Sequence, residues 1–254
     1  MKTEFDLEEY MMHHMLNSQE WNLPFLPTIH IPKPLSLHAL MLFMAGVFVF
    51  LTFAVIYDKK SRVPRGITNL LEVFILFIRN QIVYPYLGKE DGRKMMPLFC
   101  NFFFFILILN LMGLIPVFST ATSNINVTAG LALITLSFMV FGAIYKNGIS
   151  GFFHALVPSG VPAPIVALLL PIEIVGLLIK CFALMIRLFA NMLAGHIVII
   201  SLLGVVVLLG AKALPAVLLA AGIYILELFV AFLQAYIFTL LSAMFVGSMY
   251  HPEH

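Results

Sequence analysis

Charge is what this sequence has least of. Of its 254 residues, 10% are Asp, Glu, Lys or Arg and 62% are hydrophobic. A soluble domain carries about 25% charged residues, and a chain this apolar could not cover its surface with polar groups. The composition excludes a soluble globular protein and implies an integral membrane protein. The net charge of +2 is too small to suggest a nucleic-acid partner. Cysteine is scarce too. Cys100 and Cys181 lie far apart in apolar segments, which argues against a disulfide or a thiolate metal site and leaves them as small core residues. No phosphate-cradling glycine loop is present, so no nucleotide, metal or other cofactor site is expected. No internal repeat is found, which weakens an inverted-repeat transporter. The first 34 residues are polar, acidic and proline-dotted. That is the opposite of a basic segment followed by an apolar one, and no import signal is expected there.

What is present is a series of long apolar runs. At 1.5 Å rise per residue, about 20 residues cross a hydrocarbon core of roughly 30 Å. The expected class is therefore an all-α membrane protein, with a polar extracytoplasmic tail over 1–34 and one helical membrane domain over 35–254. The first span is placed at 35–57. It ends in Lys59, Lys60, Arg62 and Arg65, which the positive-inside rule puts in the cytoplasm, with the N-terminal tail outside. Over 64–87, Arg65, Asn69, Glu72 and Arg79 form one polar stripe, the pattern of an amphipathic helix lying on the membrane surface. "GKEDGRKMMP" reads as a charged loop. Further spans are placed at 97–117, stopped by Pro116, and at 127–146. The polar, uncharged "STATSNINVTAG" lies between them on the outside, and "NGISGFFHALVPSGVPAP" follows as a connector. Two very long segments, 165–209 and 215–250, exceed a bilayer core and must tilt steeply or bend. Joined by "GAKALP", they make about five spans in all, the last two a tilted hairpin.

Ionisable groups inside that hairpin are Glu173, Lys180, Arg187, His196 and Glu227, with Asn191 and Gln234 as neutral polar groups. An Arg at a helix centre costs roughly 2.5–3.5 kcal/mol on insertion scales, so Arg187 must face protein or water. One possibility is a structural pairing with a carboxylate; intramembrane charges are otherwise functional by default. Glu173, Lys180 and Arg187 recur at intervals of seven, and Asn191 follows Arg187 by four, so all share one helix face. His196 comes nine residues after Arg187, about half a turn round and about 13 Å along the axis. Glu227 and Gln234 share a face of the second segment. His196 alone could be a core histidine on a backbone carbonyl. Together, proton-exchanging groups on separate faces and at separate depths suggest two water-filled half-paths rather than one pore.

"IRLFANMLAGH" resembles the central run of subunit a of the F-type rotary ATP synthase. "NLMGLIP", "SNINVTAGLAL", "PIEIVGLLIK" and "FLQAYIFTLLSAMFVGSMYHPEH" support the resemblance in the right order, over nearly the whole chain. The resemblance implies a proton-translocating stator subunit with no catalysis of its own. In that role Arg187 would face the carboxylates of the rotor ring. His196 and Glu227, with Asn191 and Gln234, would line the outer half-channel, and Glu173 and Lys180 would lie toward the inner one. The implied partners are the rotor ring, the peripheral-stalk b subunits, the rest of the synthase and the lipid bilayer. The implied location is a bacterial plasma membrane with the C-terminus in the cytoplasm, or alternatively the mitochondrial inner membrane. A stand-alone secondary transporter or ion channel is the rival function.

Overall fold

The computed structural model describes residues 20–21, 29–30, 36–56, 66–115, 118–157, 162–209 and 214–251. The "GAKALP" turn residues 210–213, Pro116, most of the N-terminal tail and the basic segment 57–65 lie outside the described residues. A two-residue antiparallel pair, β1 (Glu20–Trp21) with β2 (Ile29–His30), matches Glu20 to His30 and Trp21 to Ile29. Everything else regular among the described residues is helical.

Helix α1 (Leu37–Leu51) starts where Ser36 Oγ accepts the Ala39 N–H, satisfying one of the free donors of a first turn. Helix α2 (Ile67–Phe77) passes through a π-helical turn, Ile78–Val83, into α3 (Tyr84–Leu114). The charged stretch "GKEDGRKMMP" is not a loop. Gly88 breaks the helix at φ 69°, in the left-handed region that glycine alone enters cheaply, and the chain is helical again through Lys89 to Leu114. Helix α3 stops at Leu114, ahead of Pro116, as the pre-proline restriction favours. Helix α4 (Ile125–Ser137) begins earlier than Val127 because Asn124 caps it, its Oδ1 accepting the Asn126 N–H at 2.9 Å. A π-helical turn, Phe138–Gly142, leads into α5 (Ala143–Leu156). The supposed connector is thus helical from Asn147 to Leu156, with Gly148, at φ 73°, breaking the rod, while residues 158–161 lie outside the described residues. Helices α6 (Ala163–Leu209) and α7 (Leu214–Tyr250) complete the chain.

Among the described residues, five helical stretches are long and apolar enough to cross a membrane: Leu37–Val55, Ile67–Leu114, Ile125–Leu156, Pro164–Val206 and Leu214–Tyr250. Their surfaces carry many exposed large apolar side chains, among them Phe43, Phe141, Leu168 and Ile225. In water such patches would drive aggregation; facing hydrocarbon they need no partner. The protein is a multi-pass, all-α membrane protein.

The chain divides into two compact units. Unit 1 takes Met1–Val49, Phe105–Thr128 and Arg187–Ala235. In it Leu37, Met41 and Ala45 of α1 pack on Leu109, Met112 and Ala121, while Leu114, Met192 and Ala231 form a second cluster. Unit 2 takes Phe50–Phe104, Ala129–Ile186 and Tyr236–His254. Its interior is aromatic. Phe102 meets Phe238 edge-on at 5.5 Å between ring centroids, Phe74 meets Phe103 at 5.8 Å, and Phe53 meets Phe104 at 5.0 Å. Near the end of α7, Asp91 accepts from Lys146, His251 lies 3.0 Å from the same Asp91 oxygen, and Asn147 Nδ2 donates to the Met249 carbonyl at 3.2 Å.

Candidate functional site

In unit 1, α6 and α7 run antiparallel. Gly195 faces Glu227, Met192 packs with Ala231, and Asn191 meets Gln234, so the numbering climbs on one helix as it falls on the other. This places two polar pairs at different heights along one helix contact. Asn191 Nδ2 donates to Gln234 Oε1 at 2.7 Å. His196 Nδ1 lies 3.4 Å from Glu227 Oε1, with the Glu227 side chain 5% exposed. That is ion-pair distance without hydrogen-bond geometry, and neither carboxylate oxygen has a hydrogen-bond partner among the described residues. Such a pair can hold one proton on either partner, as imidazolium beside carboxylate or imidazole beside carboxyl.

The other side of the imidazole is held from a third element. His196 Nε2 sits 2.9 Å from the Gly113 carbonyl at the end of α3 and also touches Thr120 Oγ1. Asn110 donates to the Ala231 carbonyl at 3.3 Å, and the Tyr224 hydroxyl donates to the Leu114 carbonyl at 3.0 Å, tying α3 to α7 around the pair. Two glycines make the room. A Cβ at Gly195 would run into Glu227 Oε1, and one at Gly113 would fall 2.9 Å from Thr120 Cγ2.

The polar segment between α3 and α4, expected on the outside of the membrane, buries several of its hydroxyls in protein. Ser119, Thr120, Thr122 and Ser123 are all buried. Thr120, Gly113 and Gly195 were not singled out from the sequence, though the lack of any charge among those hydroxyls was a signal that they could be buried.

Arg187 is half-exposed and has no hydrogen bond or ion pair among the described residues. On the regular helix α6 it lies nine residues before His196, about half a turn away in azimuth. The buried carboxylate of unit 1, Glu227, lies against His196 instead. Glu173 and Lys180 belong to unit 2; both are half-exposed, and the Lys180 ammonium stands 5.8 Å from the Phe245 ring centroid.

Residues 39–247 match the family model described as ATP synthase A chain. The chain belongs to that family. A protein named ATP synthase subunit a in Anaeromyxobacter dehalogenans is 45% identical over 216 residues, covering 83% of this chain and 56% of the relative. Proteins of the same name in Chloroherpeton thalassium and Myxococcus xanthus are each 41% identical, covering 96% and 85% of this chain and 77% and 75% of theirs. The chain spans about half the length of the Anaeromyxobacter relative.

Proposed function

We propose that this family member is the proton-translocating stator subunit of an F-type ATP synthase, a non-catalytic channel that couples proton flow to rotation of a ring. The observation that carries this is Arg187: a fixed charge with no acid partner among the described residues, on a helix whose buried carboxylate neighbour is already matched with histidine. A cation left in this state suits a carboxylate brought by another subunit. The other expected partners are peripheral-stalk b subunits and the remainder of the synthase. The bacterial relatives support a plasma membrane location, and the basic segment 57–65 supports a cytoplasmic C-terminus.

A ring carboxylate crossing lipid must be neutral, because an ionised one is too costly to desolvate. Beside Arg187 the same group is held ionised, since an opposite charge favours the charged form. It gives its proton to one half-channel as it approaches and takes one from the other as it leaves. His196 and Glu227, with Asn191 and Gln234, serve the outer half-channel; Glu173 and Lys180 serve the inner one. Arg187 separates the two. The driving energy is about 2.3 kcal/mol per charge per 100 mV.

The test is reconstitution of the chain into vesicles with and without a rotor ring and the stalk, measuring proton flux. Flux only with the ring is the expected result. Flux from the chain alone would mean a stand-alone channel or transporter.

A further inference from the structure

We propose that His196 works through one nitrogen only: the Gly113 carbonyl and the Thr120 hydroxyl keep Nε2 as a standing N–H, and Nδ1, facing Glu227, carries the proton that exchanges. A carbonyl oxygen can only accept. With Gly113 O at 2.9 Å, an unprotonated Nε2 would set two lone pairs against each other, whereas an Nε2–H makes a hydrogen bond. The Thr120 hydroxyl touches the same nitrogen and can accept from it, adding a second acceptor to the same N–H. Neutral His196 is therefore the Nε2–H tautomer, and its unprotonated Nδ1 lies 3.4 Å from Glu227 Oε1. In the transfer, the carboxyl O–H bond breaks and an Nδ1–H bond forms, leaving carboxylate and imidazolium; the reverse step returns the proton. Nε2 keeps its hydrogen throughout.

Thr120 is thus a positioning residue, and the absence of a side chain at residue 113 is part of the device, since a Cβ there would push into the Thr120 methyl. Among the described residues, the polar groups at the imidazole nitrogens are these two and Glu227. The remaining titratable group of that stretch of α7, Tyr224, is committed to the Leu114 carbonyl, and Arg187 lies on the opposite face of α6. The tautomer assignment stands on this geometry alone; its consequence for proton flow rests on the function proposed above.

The experiment is nitrogen NMR of the assembled complex labelled at histidine, with the His196→Gln complex identifying the His196 resonances. A neutral His196 protonated at Nε2 is expected; protonation at Nδ1 overturns the proposal whether or not the chain carries protons. In parallel, Thr120→Val and Thr120→Ser complexes are compared for ATP-driven pumping across a pH series. Val should lower pumping several-fold and shift the pH profile, and Ser should restore both. A Val variant with the parent's rate and profile would remove Thr120 from the device.

Discussion

Glu227 reaches His196 through the space left by Gly195. A Cβ at residue 195 would run into Glu227 Oε1 and stand 2.6 Å from its carboxyl carbon, so the acid can lie against α6 only because that helix has no side chain there. Gly195→Ala should therefore leave the helices packed, since a flexible carboxylate can swing aside, but break the pairing with His196. Misplacing a reacting group by about 1 Å can cost on the order of a hundredfold in rate. ATP-driven acidification of vesicles carrying this variant should fall by about tenfold or more, with assembly unchanged on native gels.

Glu227→Gln tests the proton rather than the space. The amide keeps the shape and a hydrogen-bonding oxygen but holds no exchangeable acid proton. Passive proton flux through the membrane sector should drop to near background, while the thermal stability of the complex changes little. Parental flux would show that the buried acid is not in the path.

Asn191 and Gln234 should be coupled. Asn191→Ala removes the donor to Gln234 Oε1, leaving a buried amide whose Nε2 already lacks a partner among the described residues. An orphaned buried polar group costs about 1–3 kcal/mol. The double change Asn191→Ala with Gln234→Leu should be milder in thermal denaturation than the sum of the single changes. Strict additivity would contradict the contact.

In unit 2 a stability prediction is independent of function. Gly247 packs against backbone, and a Cβ there would lie 2.5 Å from the Tyr86 carbonyl oxygen. Gly46 in α1 has nothing within 4 Å of the same position. Gly247→Ala should destabilise by roughly 1–3 kcal/mol through forced backbone movement. Gly46→Ala should be neutral or slightly stabilising, from its better helix propensity. Thermal melting of the purified protein in detergent compares the two.

The fold was legible where physics is one-dimensional. Apolar runs of spanning length and the sign of charge between them are properties of the chain itself, and α1, α6 and α7 follow from them. The errors came where local polarity was taken for a loop. Lys89 to Pro97 looks like a charged connector, yet a helix can carry such residues on its outside, and Gly88 supplies the only break needed. Ser119 to Ser123 is a polar connection as its composition suggests, but its hydroxyls are buried in protein, Thr120 against His196. Helical spacing separates Arg187 from His196 by half a turn, and the opposition of His196 to Glu227 was implied by resemblance. The third wall of that site, Gly113 and Thr120, comes from residues some 80 positions earlier in the chain. No periodicity reports a contact made by a backbone carbonyl or by a missing side chain.

The central claim is that Arg187 must be a permanent charge standing between two proton paths. A lysine at that position keeps the charge in water, but a desolvated ammonium can release its proton where a guanidinium cannot. The direct measurement is ATP-driven proton pumping by vesicles containing the whole synthase with Arg187→Lys. Loss of pumping in a fully assembled complex is the predicted result; pumping at the parental rate would contradict the account.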